Sequence, residues 1–126
     1  MKAIAIIGAS SDRSKFGNKA VRAYLQKKWR VYPVHPKGGV IEGLPAYKTI
    51  LDVPAGQLDR VSLYLPPQLG ASLIPQIAQR QVKELWLNPG ADGPEVASLA
   101  MKSRLNVVLG CSIVDIGVDP HHLTET

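Results

Sequence analysis

The stretch Ala3-Ile4-Ala5-Ile6-Ile7-Gly8-Ala9-Ser10-Ser11-Asp12-Arg13-Ser14-Lys15-Phe16-Gly17 decides how the chain folds. Ala3–Ile7 is apolar without alternation, which fits a strand buried on both faces of a parallel sheet. Gly8 ends the run, and small and hydroxyl residues lead into a segment with helical periodicity. Small side chains let a ligand approach the backbone, and the N–H groups at a helix start favour negative charge. Gly8, Ala9, Ser10, Ser11, Asp12 and Arg13 therefore form a candidate phosphate-binding turn.

Four further apolar runs follow, Val31–Val34, Val61–Leu65, Leu85–Leu87 and Val107–Leu109. Helical patterns alternate with them. The first is expected over about Asn18–Lys28, with Val21, Tyr24, Leu25 and Lys28 on one face. The second carries Leu69, Leu73, Ile77 and Ala78, and Pro75 requires either a late start, with Ser72 or Leu73 near the cap, or a kink. The third opens with Pro94 in its first position. Between Pro36 and Gly56 the richness in Gly and Pro predicts an irregular connection with a helical turn near Tyr47–Leu51. Alternating strands and helices make this an α/β chain with a five-stranded parallel sheet between helix layers.

In such sheets ligands bind beyond the carboxyl ends of the strands. The loops Gly8–Gly17, His35–Gly39, Pro66–Gln68, Asn88–Gly93 and Gly110–Ser112 are expected to converge there.

Composition narrows the function classes. The chain has 126 residues, 45% hydrophobic and 20% charged, which suits one domain over residues 1–126 with an irregular tail from about Ser112. Its apolar runs are far shorter than the roughly 20 residues that span a bilayer, so no membrane role is expected. The start does not read as a signal peptide, and the expected compartment is the cytoplasm. A single cysteine, Cys111, excludes an internal disulfide and a cysteine-rich zinc site. The formal charge of +5 is compatible with nucleic acid or with a polyanionic small ligand. The basic residues are dispersed, with no basic run and no helix-turn-helix pattern, so nucleic acid is not the expected partner.

The first loop lacks both the Gly-x-Gly-x-x-Gly dinucleotide fingerprint and the Gly-Lys-Ser/Thr of a Walker loop. An NAD-binding domain usually places an acid at the end of its second strand. Here Val34 is followed by His35, Pro36 and Lys37, with no acid before Glu42. Lys37 beside Gly38-Gly39 can meet a phosphate instead, which favours a phosphorylated ribose, as in NADP or coenzyme A.

Val34-His35-Pro36-Lys37-Gly38-Gly39 followed by Ile41-Glu42-Gly43-Leu44-Pro45-Ala46-Tyr47 resembles the CoA-binding domain family. That family includes stand-alone bacterial CoA-binding proteins and the N-terminal domain of the succinyl-CoA ligase alpha subunit. Gly8-Ala9-Ser10, Leu65-Pro66-Pro67, Trp86-Leu87-Asn88-Pro89-Gly90 and Cys111 extend the likeness from about Ile4 to Cys111. The resemblance implies a Rossmann-like fold with strand order 3-2-1-4-5. It implies that CoA is held by Ser10, Ser11, Asp12 and Arg13, by Lys37, by Pro66 and Pro67, and by Leu87, Asn88 and Pro89. Among these, Ser10 and Arg13 are expected to bind phosphates, and Asn88 the amides of pantetheine. His35 stands where stand-alone relatives often have Asn.

No catalytic constellation is visible. Cys111 is a lone thiol, His121-His122 has no further ligand at metal spacing, and His35 has no paired nucleophile. The expected activity is binding of CoA or acyl-CoA as a carrier, sensor or partner module. An NADP-dependent oxidoreductase and a structural or nucleic-acid-binding protein are the alternatives. Homodimerisation and an unknown protein partner both stay open.

Overall fold

The computed structural model describes residues 1–126. Strand β1 (Ala3–Ile7) is buried at every position and sits inside the main sheet, as its unbroken apolar run requires. Around it run β2 (Arg30–Val34), β5 (Gln57–Leu63), β6 (Gln81–Leu87) and β7 (Val107–Leu109), all parallel. Two short strands, β3 (Val40–Ile41) and β4 (Leu44–Pro45), form a separate antiparallel hairpin.

The side chains of β1 divide between two cores, as the strand period of two dictates. Ala3, Ala5 and Ile7 pack with Ile74 and Ile77 of α2 (Pro67–Ala78) and with Val96 and Ala100 of α3 (Pro94–Lys102). Ile4 and Ile6 pack on the other face with Ala20, Val21 and Tyr24 of α1 (Phe16–Gln26). Helices thus cover both sides, and the α/β, Rossmann-like, three-layer architecture is established.

The strand order differs from 3-2-1-4-5. The main sheet runs β2-β1-β5-β6-β7, so its third strand in sequence lies beside β1, not outside β2. Only one residue occupies the outer edge of β2. Tyr47 donates its N–H to the Pro33 carbonyl at 2.9 Å and accepts from the His35 N–H at 2.8 Å, a single parallel bridge. The chain then turns into a 3-10 helix at Ile50–Asp52, capped by the Thr49 hydroxyl, and reaches the free edge of β1. Pro33 is tolerated because the β1 ladder uses its even-numbered neighbours, such as Arg30 and Val34. Its missing N–H faces outward.

Helix ends shift from the sequence expectation for identifiable reasons. Helix α1 ends at Gln26 because Lys28 takes a left-handed φ of 66° and the Trp29 N–H returns to the Tyr24 carbonyl. Lys28 therefore leaves the helix face, and Trp29 packs edge-on against Tyr24. Helix α2 starts at Pro67, in the first-turn position where Pro costs nothing, and continues through the exposed Pro75. The tail is not wholly irregular. It contains α4 (Ser112–Asp115), whose Ile113 is buried against α1, and a 3-10 turn at Pro120–His122. Lys19 then holds Glu125 at 3.2 Å.

One carboxylate ties β1 to β5 at the amino end of the sheet. Asp59 accepts from the Ala3 N–H at 2.8 Å and lies 3.3 Å from Lys83. The amide hydrogen bond first, and then the lysine, hold its carboxyl below the ordinary value. A depressed folded-state pKa means this stabilisation is complete above the unfolded value of about 3.9 and is lost as pH falls through the folded value. Asp59→Asn is therefore expected to cost stability at neutral pH, with the gap from wild type closing below about pH 4. Urea unfolding at both pH values checks it; a constant gap would remove the carboxylate as the cause.

Candidate functional site

The carboxyl ends of β1, β2 and β5 open into a pocket of about 260 Å³, lined by residues that include Ile7, Gly8, Val34, Ile50, Leu65, Leu69 and Leu73. Helix α2 supplies one wall through two adjacent stripes. Gly70, Ile74 and Ile77 go into the core, while Leu69, Leu73 and Gln76, at i, i+4 and i+7, face the pocket. The opposite wall is Pro36 and Lys48-Thr49-Ile50, from the connection that replaces a crossover helix. Six of the eleven lining residues are hydrophobic, and Lys48 is the only charged one.

A second groove of about 300 Å³ continues along the same edge, between the start of α1 and the loops after β5 and β6. Lys15, Phe16, Gly17, Tyr64, Pro66, Pro89, Gly90 and Ala91 line it, and it shares Gly8 and Leu65 with the first pocket. An apolar chamber and a more open channel thus meet over Gly8.

Gly8 has to be small and left-handed there. Its φ is +92°, and a Cβ would stand 2.6 Å from the Tyr64 carbonyl oxygen. Gly17 is tighter still, since a Cβ on it would lie 2.0 Å from the Gly8 carbonyl oxygen. The first turn of α1 is thereby pressed onto the end of β1. No side chain caps that turn and no acid stands in it. The N–H groups of Phe16 and Gly17 at the helix start, and those of Ser10 and Ser11 in the loop before it, have no partner within the protein.

The remaining loop residues brace this shape. The Ser10 hydroxyl accepts from the Asp12 N–H at 3.0 Å, and Asp12 accepts from the Ser14 hydroxyl at 2.7 Å and the Ser14 N–H at 3.0 Å. Those Ser14 bonds, hydroxyl first, hold the Asp12 carboxyl below its ordinary value. Ala9 is 1% exposed and belongs to the core beneath the loop. Arg13 lines neither pocket; its Nε lies 3.4 Å from Glu42 and its guanidinium donates to the Thr126 carbonyl at 2.6 Å. Asn18, Arg22 and Glu42 complete the brace. Asn18 donates to the Ser10 carbonyl at 2.9 Å and to Glu42 at 3.1 Å, and accepts from Arg22 at 2.8 Å.

At the second loop, His35 accepts the Lys37 N–H on Nδ1 at 3.1 Å and so fixes the turn that presents Lys37 to solvent. Pro66 and Pro89 line the groove, with Pro67 starting α2 beside Pro66. Leu87 and Asn88 do not reach it. Leu87 is core, and Asn88 is 1% exposed with its amide spent inside the protein. Asn88 Nδ2 donates to the Ser62 hydroxyl at 2.8 Å and the Leu63 carbonyl at 2.9 Å, while Oδ1 accepts from the Ser112 N–H at 2.9 Å. The expected bond to a ligand amide is replaced by a tie between three strand ends.

Beneath the groove the same tie reaches Tyr64, whose hydroxyl lies 3.1 Å from the Ser112 hydroxyl. Burial pushes the Tyr64 phenol well above its ordinary pKa, so it stays protonated. Cys111 is half-buried against the α1 face.

Sequence reasoning missed Lys15, Phe16 and Gly17 as a lining, although they end the decisive stretch. It also missed Lys48, Thr49 and Gln76. For Leu69, Leu73 and Gln76 the signal was present as a helical stripe adjoining the buried one.

Comparison with known proteins gives the family and supports the fold. A family model described as CoA binding domain matches residues 2–117. The acetate–CoA ligase (ADP-forming) I subunit alpha of Pyrococcus furiosus is 28% identical, over 99% of this chain and 30% of that protein. The acetate–CoA ligase (ADP-forming) of Methanocaldococcus jannaschii is 29% identical over 65% of this chain and 12% of its own length. The chain thus spans well under half of these relatives. A solved structure of a conserved hypothetical protein from Pyrococcus furiosus superposes with a TM-score of 0.82 at 29% identity, covering 91% of this chain and 99% of that one. The dinucleotide-forming acetyl-coenzyme A synthetase 1 of Ca. Korarchaeum cryptofilum superposes with a TM-score of 0.73 at 27% identity, over 85% of this chain and 25% of that one. Over nearly its whole length, this chain belongs to the CoA binding domain family.

Proposed function

We propose that the protein binds coenzyme A or an acyl-CoA along the carboxyl edge of its sheet, and serves as a carrier, sensor or partner module. The observation that carries this is the junction at Gly8 and Leu65 of an apolar chamber with a channel walled by the start of α1. CoA has that shape and polarity: a flat base, phosphates, and a long flexible arm. The donors that suit the phosphates are the unpartnered N–H groups of Ser10, Ser11, Phe16 and Gly17, with Lys15 beside them. The base fits the pocket walled by Ile50, Leu69 and Leu73, and the arm fits the channel past Pro66 and Pro89. When bound, CoA supplies a thiol that carries acyl groups.

Titration calorimetry with CoA, NADP and NAD tests the proposal. CoA is expected to bind more tightly than either dinucleotide, and equal affinities would overturn it. Lys37→Glu, at an exposed position, is expected to weaken CoA binding about tenfold or more through repulsion, with unfolding unchanged. Unaltered affinity in that variant would remove Lys37 from the site.

A further inference from the structure

Resting on the proposed CoA binding, we infer that Lys48 is the residue that selects a 3′-phosphorylated nucleotide over its dephosphorylated form. The apolar chamber contains one charged residue, and it is Lys48. Its position follows from the Tyr47 bridge to β2, which fixes the backbone immediately before it. Its stem is laid against the turn after β2. Cγ and Cε of Lys48 both lie 3.6 Å from where a Cβ on Gly38 would stand. Gly38, at φ +65° and without a side chain, leaves that face of the turn open to the lysine.

The same turn carries Lys37, held by the His35 ring. Neither lysine has a carboxylate within 4.0 Å, whereas Arg13, Lys19, Arg60 and Lys83 all do. One unneutralised cation, Lys48, therefore lines the apolar chamber, and a second, Lys37, stands exposed on the adjoining turn. A base in that chamber brings its ribose to the rim. A ribose phosphate there meets positive charge without displacing an existing ion pair, and a charge-assisted hydrogen bond of this kind is a strong one. Thr49 and Gln76, also on the wall, offer neutral polar groups and add nothing to discrimination by charge.

Calorimetry of wild type, Lys48→Met and Lys48→Arg with CoA and with dephospho-CoA tests the assignment. Lys48→Met keeps the apolar stem and removes only the charge. It is expected to weaken CoA binding about tenfold and dephospho-CoA binding less than about twofold, and Lys48→Arg should restore most of the difference. Equal loss for both ligands, or none for either, would overturn the role of Lys48 while leaving CoA binding intact. If wild type binds neither ligand, the proposed function fails and this inference with it. Thermal unfolding should be unchanged in both variants, because the side chain is exposed and unpaired.

Discussion

Gly17→Ala is expected to abolish CoA binding and to destabilise the fold by about 3 kcal/mol, despite introducing the best helix former into a helix. Alanine would favour the helix by up to about 1 kcal/mol relative to glycine. Against that, the new methyl would sit 2.0 Å from the Gly8 carbonyl oxygen, 2.9 Å from its carbon and 3.2 Å from Ala9 Cα. All three are backbone atoms, and they cannot swing aside. Gly8 is bonded to the Val34 carbonyl at 3.3 Å, and any Cβ of its own would already clash with Tyr64. Relief therefore requires α1 to lift from the end of β1, which displaces the unpartnered donors at the helix start. Gly70→Ala is the natural control, because its closest obstacle is Leu63 Cδ2 at 2.7 Å, the far end of a flexible side chain. It should cost distinctly less. Denaturant unfolding and CoA titration of both variants check the contrast, and a Gly17→Ala protein of wild-type stability would show that helix and strand end are not in contact.

Asn88→Ala is expected to lower stability by about 3–4 kcal/mol, because it strands three buried partners at once. The Ser112 N–H, the Leu63 carbonyl and the Ser62 hydroxyl would each lose the amide. The Ser62 and Ser112 hydroxyls, 2.7 Å apart, still hold each other, which limits the loss on that side. An unsatisfied buried backbone group costs about 1–3 kcal/mol, and the two here make up most of the total. Asn88→Asp separates the contributions. It keeps the shape and the acceptor for Ser112 but removes both donors, so it too should be strongly destabilised. A ligand-binding asparagine would behave differently, losing CoA affinity with unfolding unchanged. That second pattern, seen by denaturant unfolding and calorimetry, would restore Asn88 to the binding site and remove it from the scaffold.

Asn88 also shows how far residue identities carry a site. Its sequence neighbours Pro89 and Gly90 do line the groove, although its own side chain does not. The side chain's direction was not legible, because its three partners lie 24 to 26 residues away in sequence. Ala9 and Arg13 follow the same rule. They belong to the decisive loop, yet one is packed into the core and the other is drawn to Glu42, itself carried by the β3–β4 hairpin connection. Lys48 was hidden for the converse reason. A Gly- and Pro-rich connection has no periodicity that could assign a wall of the chamber to it.

By itself the sequence determined that this is an α/β protein with its loops gathered at the carboxyl edge of a parallel sheet. Five apolar runs separated by helical patterns are a local property, and burial on both faces leaves few other arrangements. It also determined that the first loop must be small, since Gly8 through Gly17 is readable without knowing what lies against it. Only the tertiary structure decided the strand order, through the single bridge from Tyr47 that occupies the outer edge of β2. It likewise decided which loop side chains face the chamber and which face the core. Those choices depend on contacts between residues far apart in the chain, which no spacing pattern records.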